Sequence, residues 1–146
     1  WGIFLLFGGG LSLASSIESS GLSRYLGSMF SGLQLVPIWL AVALVISVIV
    51  FLTEITSNTA TATTAVPILV LVAGAIGLDA PVLVLPAALA GSFAFMLPTA
   101  TAPNAIVYGT GQIKISDMIR AGFWLNCLSI IVLALLAFPL VQSLRF

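Results

Sequence analysis

Histidine is absent from this sequence of 146 residues, cysteine occurs once, and charged side chains make up only 5% of it, against about 25% in ordinary soluble domains. Without histidine, Ser-His-Asp and Cys-His catalysis have no base. One cysteine leaves no ordinary ligand set for zinc and no partner for a disulfide within the chain. Four Lys+Arg balance four Asp+Glu, so nothing can neutralise a run of phosphates, and nucleic acid is excluded as a partner. These absences point away from an enzyme. Nor can eight charges clothe a soluble globule. With 61% hydrophobic residues and a mean hydropathy of +1.29, the composition describes an all-α, polytopic membrane protein or a piece of one.

What is present is best taken against the thickness of a bilayer, which a helix of about 20 apolar residues crosses. The run Trp1–Ala14 is short for that. It carries neither the basic start nor the cleavage site of a signal peptide, so the chain is expected to begin inside a larger protein. Residues 1–36 then comprise a partial transmembrane helix and an interfacial segment. Ser15–Gly21 is polar, and Leu22, Tyr25, Leu26, Met29 and Phe30 recur at helical spacing, as in a short amphipathic surface helix. Pro37 opens an apolar stretch that reaches Leu52, at a position where a missing N–H costs nothing.

Twelve residues dense in hydroxyls, Thr53–Thr64, follow before apolar sequence resumes at Ala65. Two readings stand side by side. The run is an exposed loop between crossing helices, or residues 37–78 form a re-entrant hairpin with its tip near 57–59. It has no Gly, no Pro and one charge, which is unusual for a solvated turn. Non-helical backbone at membrane depth needs burial in protein or a cavity to line. At the tip, Ser57 or Asn58 would cap the helix beginning near Thr59. Residues 79–112 look like a discontinuous helix. Asp79 and Pro81 start it, and Pro98 and Pro103 interrupt it over 98–104, since each removes a donor and clashes with the turn before. Residues 113–146 form a last transmembrane helix capped near Ser116–Asp117. Lys114 and Arg120 at its start, against Arg145 beyond its end, favour a cytoplasmic start.

A polar hairpin tip beside a broken helix is how secondary transporters hold ions near the midplane. Helix N-termini attract anions, while helix C-termini and unwound carbonyls attract cations. Thr53 and Ser57 share a helical face, with oxygens suited to a hard cation. No Lys or Arg lies in either interruption, so an anion would be held by neutral donors and bound cations. Glu54, an acid in an apolar segment, is a candidate functional residue; the alternatives are a structural role bonded to hydroxyls inside the bundle and a proton relay. Gly8-Gly9-Gly10 has no following Lys and reads as helix packing, Cys127 as packing, and the tryptophans as interface anchors.

The residues Thr53-Glu54-Ile55-Thr56-Ser57-Asn58-Thr59 contain a Ser-Asn-Thr signature. Together with Leu97-Pro98-Thr99-Ala100-Thr101-Ala102-Pro103-Asn104-Ala105-Ile106 and Leu6-Phe7-Gly8-Gly9-Gly10-Leu11, they resemble the divalent anion:sodium symporter family along essentially the whole chain. The resemblance is to the C-terminal one of two inverted repeats. It implies a sodium-coupled transporter of di- or tricarboxylates or a related divalent anion such as sulfate, with sodium as coupling ion. By that match Thr53, Ser57, Asn58 and the carbonyl of Ala100 bind sodium, and Asn58, Thr59 and Thr101 contact a small anionic substrate. It further implies a missing N-terminal repeat, a homodimer, and a multi-pass location in the cell (inner) membrane. One departure stands out: the family's usual Thr-Pro-Pro-Asn is Thr101-Ala102-Pro103-Asn104 here. A proton-coupled antiporter or arsenite-type transporter of the same wider architecture, and a non-transporting membrane assembly module, are the alternatives.

Overall fold

A computed structural model describes residues 1–22, 25, 28 and 37–144. Six helices are bounded within them: α1 (Gly2–Ser19), α2 (Ile38–Ile55), α3 (Asn58–Ile76), α4 (Ala80–Ala90), α5 (Ala102–Gly109) and α6 (Ile115–Leu144). No strand occurs among the described residues. The surface helix expected over Leu22–Phe30 falls outside the described residues, save Leu22, Tyr25 and Ser28.

The core sits where α2, α3, α4 and α6 meet, built on residues such as Val42, Ile46, Val50, Leu69, Leu83 and Leu133. On α2 the buried positions are Ala41, Val42, Ile46, Ile49, Val50, Thr53 and Glu54, a stripe at three- and four-residue spacing. Thr53 and Glu54 therefore continue the face that packs the core, and that face turns polar in its last turn. α3 packs most extensively on α4, α2 lies against α4 and α6, and α1 touches α3. α5 buries no residue among the described contacts.

Local chemistry explains the ends. α3 stops in a Schellman arrangement, with Leu78 N–H donating to Ala73 O at 2.9 Å and Gly77 N–H to Gly74 O at 3.3 Å. Gly77 takes φ +74°, which costs a residue with Cβ about 1–2 kcal/mol. Pro67 inside α3 cannot donate to the Thr63 carbonyl one turn back. α1 crosses there: a Cβ on Gly10 would lie 2.7 Å from Thr63 O, whereas Gly8 and Gly9 have nothing within 4 Å. Only the third glycine of the run makes the close approach.

Three boundaries differ from the sequence expectation. α1 runs on through the serines to Ser19, where Ser16 Oγ turns back to donate to Ser12 O at 2.8 Å, so its polar end stays helical. α6 begins at Ile115, which puts Asp117 inside its first turn, where an acid suits the positive end of the helix dipole. The larger correction concerns the break. α4 ends at Ala90 and α5 begins at Ala102, so the non-helical stretch is 91–101 rather than 98–104, and Asn104 is helical. The prolines alone would stop the helix near Leu97. The helix stops about two turns earlier, and the amides of Phe95, Met96 and Leu97 are taken instead by a side chain of α2.

Two helices among the described residues, Ile38–Ile55 and the Ile115–Ala137 portion of α6, are long and apolar enough to cross a membrane.

Candidate functional site

The connection between α2 and α3 is only Thr56 and Ser57. Ser57 is the N-cap of α3, its Oγ accepting from Ala60 N–H at 3.1 Å. Thr56 Oγ1 donates to Leu52 O at 2.8 Å and lies 2.5 Å from Thr61 Oγ1. Each hydroxyl has one proton, so Thr61 is the donor in that pair and the two arms are tied just behind the tip.

One turn below, Thr53 is fully buried. Its Oγ1 lies 2.7 Å from Asn58 Oδ1 and 2.9 Å from the carbonyl oxygen of Gly91. The start of α3 and the start of the unwound segment thus meet on one hydroxyl. Its single proton serves one of two acceptors at a time, so three oxygens converge with one hydrogen among them.

Glu54, the next residue and 4% exposed, carries the second link. Its Oε1 accepts from Phe95 N–H at 2.7 Å, Met96 N–H at 2.9 Å and Asn126 Nδ2 at 2.7 Å. Its Oε2 accepts from Met96 N–H and Leu97 N–H, each at 3.1 Å. The partners are backbone amides and a side-chain amide, not the hydroxyls expected from the sequence. α5 holds the other edge: Asn104 Nδ2 donates to Ala94 O at 3.0 Å and Leu97 O at 3.1 Å. Thr101 caps α5, accepting from Asn104 N–H at 3.4 Å. The unwound backbone is served by side chains from two helices, α2 and α5, which pair the N–H groups of Phe95–Leu97 and the carbonyls of Gly91, Ala94 and Leu97 outside a helix.

Of the residues singled out in the sequence, the structure brings Thr53 and Asn58 together. Ser57 is one residue away as the helix cap. Thr59 is exposed on the first turn of α3, and its carbonyl accepts from Thr63 Oγ1 at 2.7 Å. Ala100 lies in a turn, its N–H donating to Leu97 O at 3.2 Å, not at the end of a helical leg. Among the described residues no hydrogen bond joins Thr59, Ala100 or Thr101 to the Thr53–Asn58–Gly91 cluster. Gly91 reads in the sequence only as a glycine inside the apolar run Val82–Leu97, and the amides of Phe95–Leu97, Asn126 and Gly122 carry contacts that the sequence did not lead us to expect. Asn126 had a signal, an amide alone in the apolar part of α6; the backbone groups had none.

The whole of this arrangement lies within a known family. Residues 1–144 match the family described as the sodium:sulfate symporter transmembrane region. The chain belongs to that family. It is 48% identical over 141 residues to the sodium-dependent dicarboxylate transporter SdcS of Staphylococcus saprophyticus, a match covering 97% of this chain and 27% of that protein. It is 46% identical over 138 residues to SdcS of Staphylococcus aureus strain USA300, covering 94% of this chain and 26% of the relative. The chain therefore spans about a quarter of the length of these relatives. As a member of the sodium:sulfate symporter family with two helices able to span a bilayer, it is an integral membrane protein, and the relatives are named as transporters.

Proposed function

We propose that this chain is the C-terminal part of a sodium-coupled secondary transporter that carries a di- or tricarboxylate, or a related divalent anion such as sulfate. The observation that carries the reading is the Thr53 cluster. With Thr53 Oγ1 at 2.7 Å from Asn58 Oδ1 and 2.9 Å from Gly91 O, a single proton satisfies one contact, whereas a hard cation accepts electron density from all three oxygens. Ser57 Oγ and the Ala100 carbonyl, in the same two interruptions, complete the sodium ligands. The N-termini of α3 and α5, capped by Ser57 and Thr101, supply N–H groups and positive dipole ends for a carboxylate or sulfate. Asn58, Thr59 and Thr101 are its side-chain contacts. Bound sodium then provides the positive charge that the breaks themselves lack.

The names of the relatives support sodium dependence and a dicarboxylate, and the family description supports sodium and a divalent anion. In this reading α2 and α3 form a re-entrant hairpin, with its tip inside the bilayer of the cell membrane. An N-terminal repeat supplies the rest of the pocket, and the whole transporter is a multi-pass homodimer. The contacts of Glu54 favour this reading over proton coupling, because every partner of the carboxylate is an N–H donor.

The test is uptake of labelled succinate and sulfate into liposomes containing the intact protein, with and without an inward sodium gradient. Uptake is expected only with sodium, and Asn58→Ala and Thr101→Ala are each expected to abolish it. Sodium-independent uptake with both variants active would sink the proposal.

A further inference from the structure

We infer that Glu54 is the positioning residue of this cation site: its carboxylate, braced by Asn126, holds the unwound segment at the distance that keeps the Gly91 carbonyl on Thr53. The inference rests on the transport reading above and assigns a device to it. Thr53 and Glu54 are adjacent on the last turn of α2, and each grips the same segment. Thr53 meets Gly91 O at its start, and Glu54 meets the N–H groups of Phe95, Met96 and Leu97 four to six residues on. A shift of the segment along α2 would disturb both contacts together.

The carboxylate is built in as an acceptor. A buried carboxylate is costly unless fully hydrogen-bonded, and here four N–H groups converge on its two oxygens, in the charge-assisted class. Asn126, fully buried, turns its Nδ2 to Glu54 and leaves its own Oδ1 with no partner. That orientation gives up one acceptor to supply the carboxylate with a fourth donor. One turn earlier on α6, Gly122 leaves the space: a Cβ there would lie 2.4 Å from Phe95 O and 2.6 Å from Met96 Cα. The α6 backbone therefore lies directly on the peptide that Glu54 holds, and the segment is gripped between α2 and α6.

Replacing the charge with a neutral amide turns one acceptor oxygen into a donor facing donors. Glu54→Gln is then expected to act on cation affinity more than on turnover. In liposomes containing the intact protein, with substrate saturating, the half-saturating sodium concentration of Glu54→Gln should rise roughly tenfold or more, as for loss of a hydrogen bond to a charged group. Maximal uptake at high sodium should fall by less, and Glu54→Asp should recover part of the affinity. Asn126→Ala, which removes one donor of four, should give a smaller shift in the same direction and serves if Glu54→Gln does not fold. Unchanged half-saturation in every variant that folds, whether or not maximal rate drops, overturns the positioning role while leaving the transport reading intact. So does loss of proton uptake by Glu54→Gln at unchanged sodium half-saturation. Sodium-independent uptake by the unmodified protein overturns the transport reading itself.

Discussion

At the scale of the residue, Thr53 and Glu54 show how two neighbours can serve one site in different ways. The threonine hydroxyl meets Asn58 at the tip and the Gly91 carbonyl; the glutamate accepts N–H groups from the unwound backbone beyond. Thr53→Val keeps the shape and removes the oxygen on which the cluster converges, so the half-saturating sodium concentration for uptake is expected to rise at least as far as in Glu54→Gln. Gly122→Ala tests the close approach of α6. With backbone atoms 2.4 to 2.6 Å from the added carbon, something must move, and overpacking of this kind costs about 1–3 kcal/mol. Thermal unfolding of the detergent-solubilised protein should register it, whereas Gly9→Ala, with nothing within 4 Å, should leave the midpoint in place. Residue type and spacing singled out Thr53 and Ser57 in the sequence, and the family resemblance added Asn58 and Thr101. Type and spacing were not enough for the partners of Glu54, because a backbone N–H carries no residue signature and these lie 41 to 43 positions downstream.

Elements obey their punctuation to different degrees. Pro37, Ser57, Gly77 and Thr101 each stand at a helix end as their chemistry demands. Ser57→Ala removes a cap worth about 1 kcal/mol together with a proposed sodium ligand, so its expected signature is a lower unfolding midpoint accompanied by weaker sodium activation. Gly77→Ala, far from the tip in sequence, should lower the midpoint by the cost of a left-handed alanine and leave sodium activation unaltered. The break is where punctuation misleads. Pro98 and Pro103 mark a stop that comes late, because a proline removes only its own donor, whereas one carboxylate draws off three successive amides. Ala102, where the related pattern has proline, is the first residue of α5, a position where a good helix former serves as well as a proline.

At the scale of the whole molecule, the core is a meeting of α2, α3, α4 and α6, and one side of α6 faces away from it. Trp124, Leu128, Leu135 and Leu136 stand exposed on that helix, as suits a helix against lipid. With a maleimide that does not partition into lipid given access to both faces of opened membranes, a cysteine at Leu135 should resist it, and one at Ile113, in the polar connection before α6, should react. Parity would show that the outer face of α6 is wetted. What the sequence determined by itself was class and vocabulary. Too few charges for a soluble surface, no histidine for catalysis, and two polar interruptions in apolar sequence are properties of composition and spacing, and they hold before any fold is chosen. Where the second interruption begins, what Glu54 binds, that Gly91 meets Thr53 and Asn126 meets Glu54, and that Gly122 lies on the 95–96 peptide were decided by tertiary structure alone. Each depends on backbone donors and acceptors that every residue possesses, and only the packing of α2 and α6 selects which of them meet a side chain.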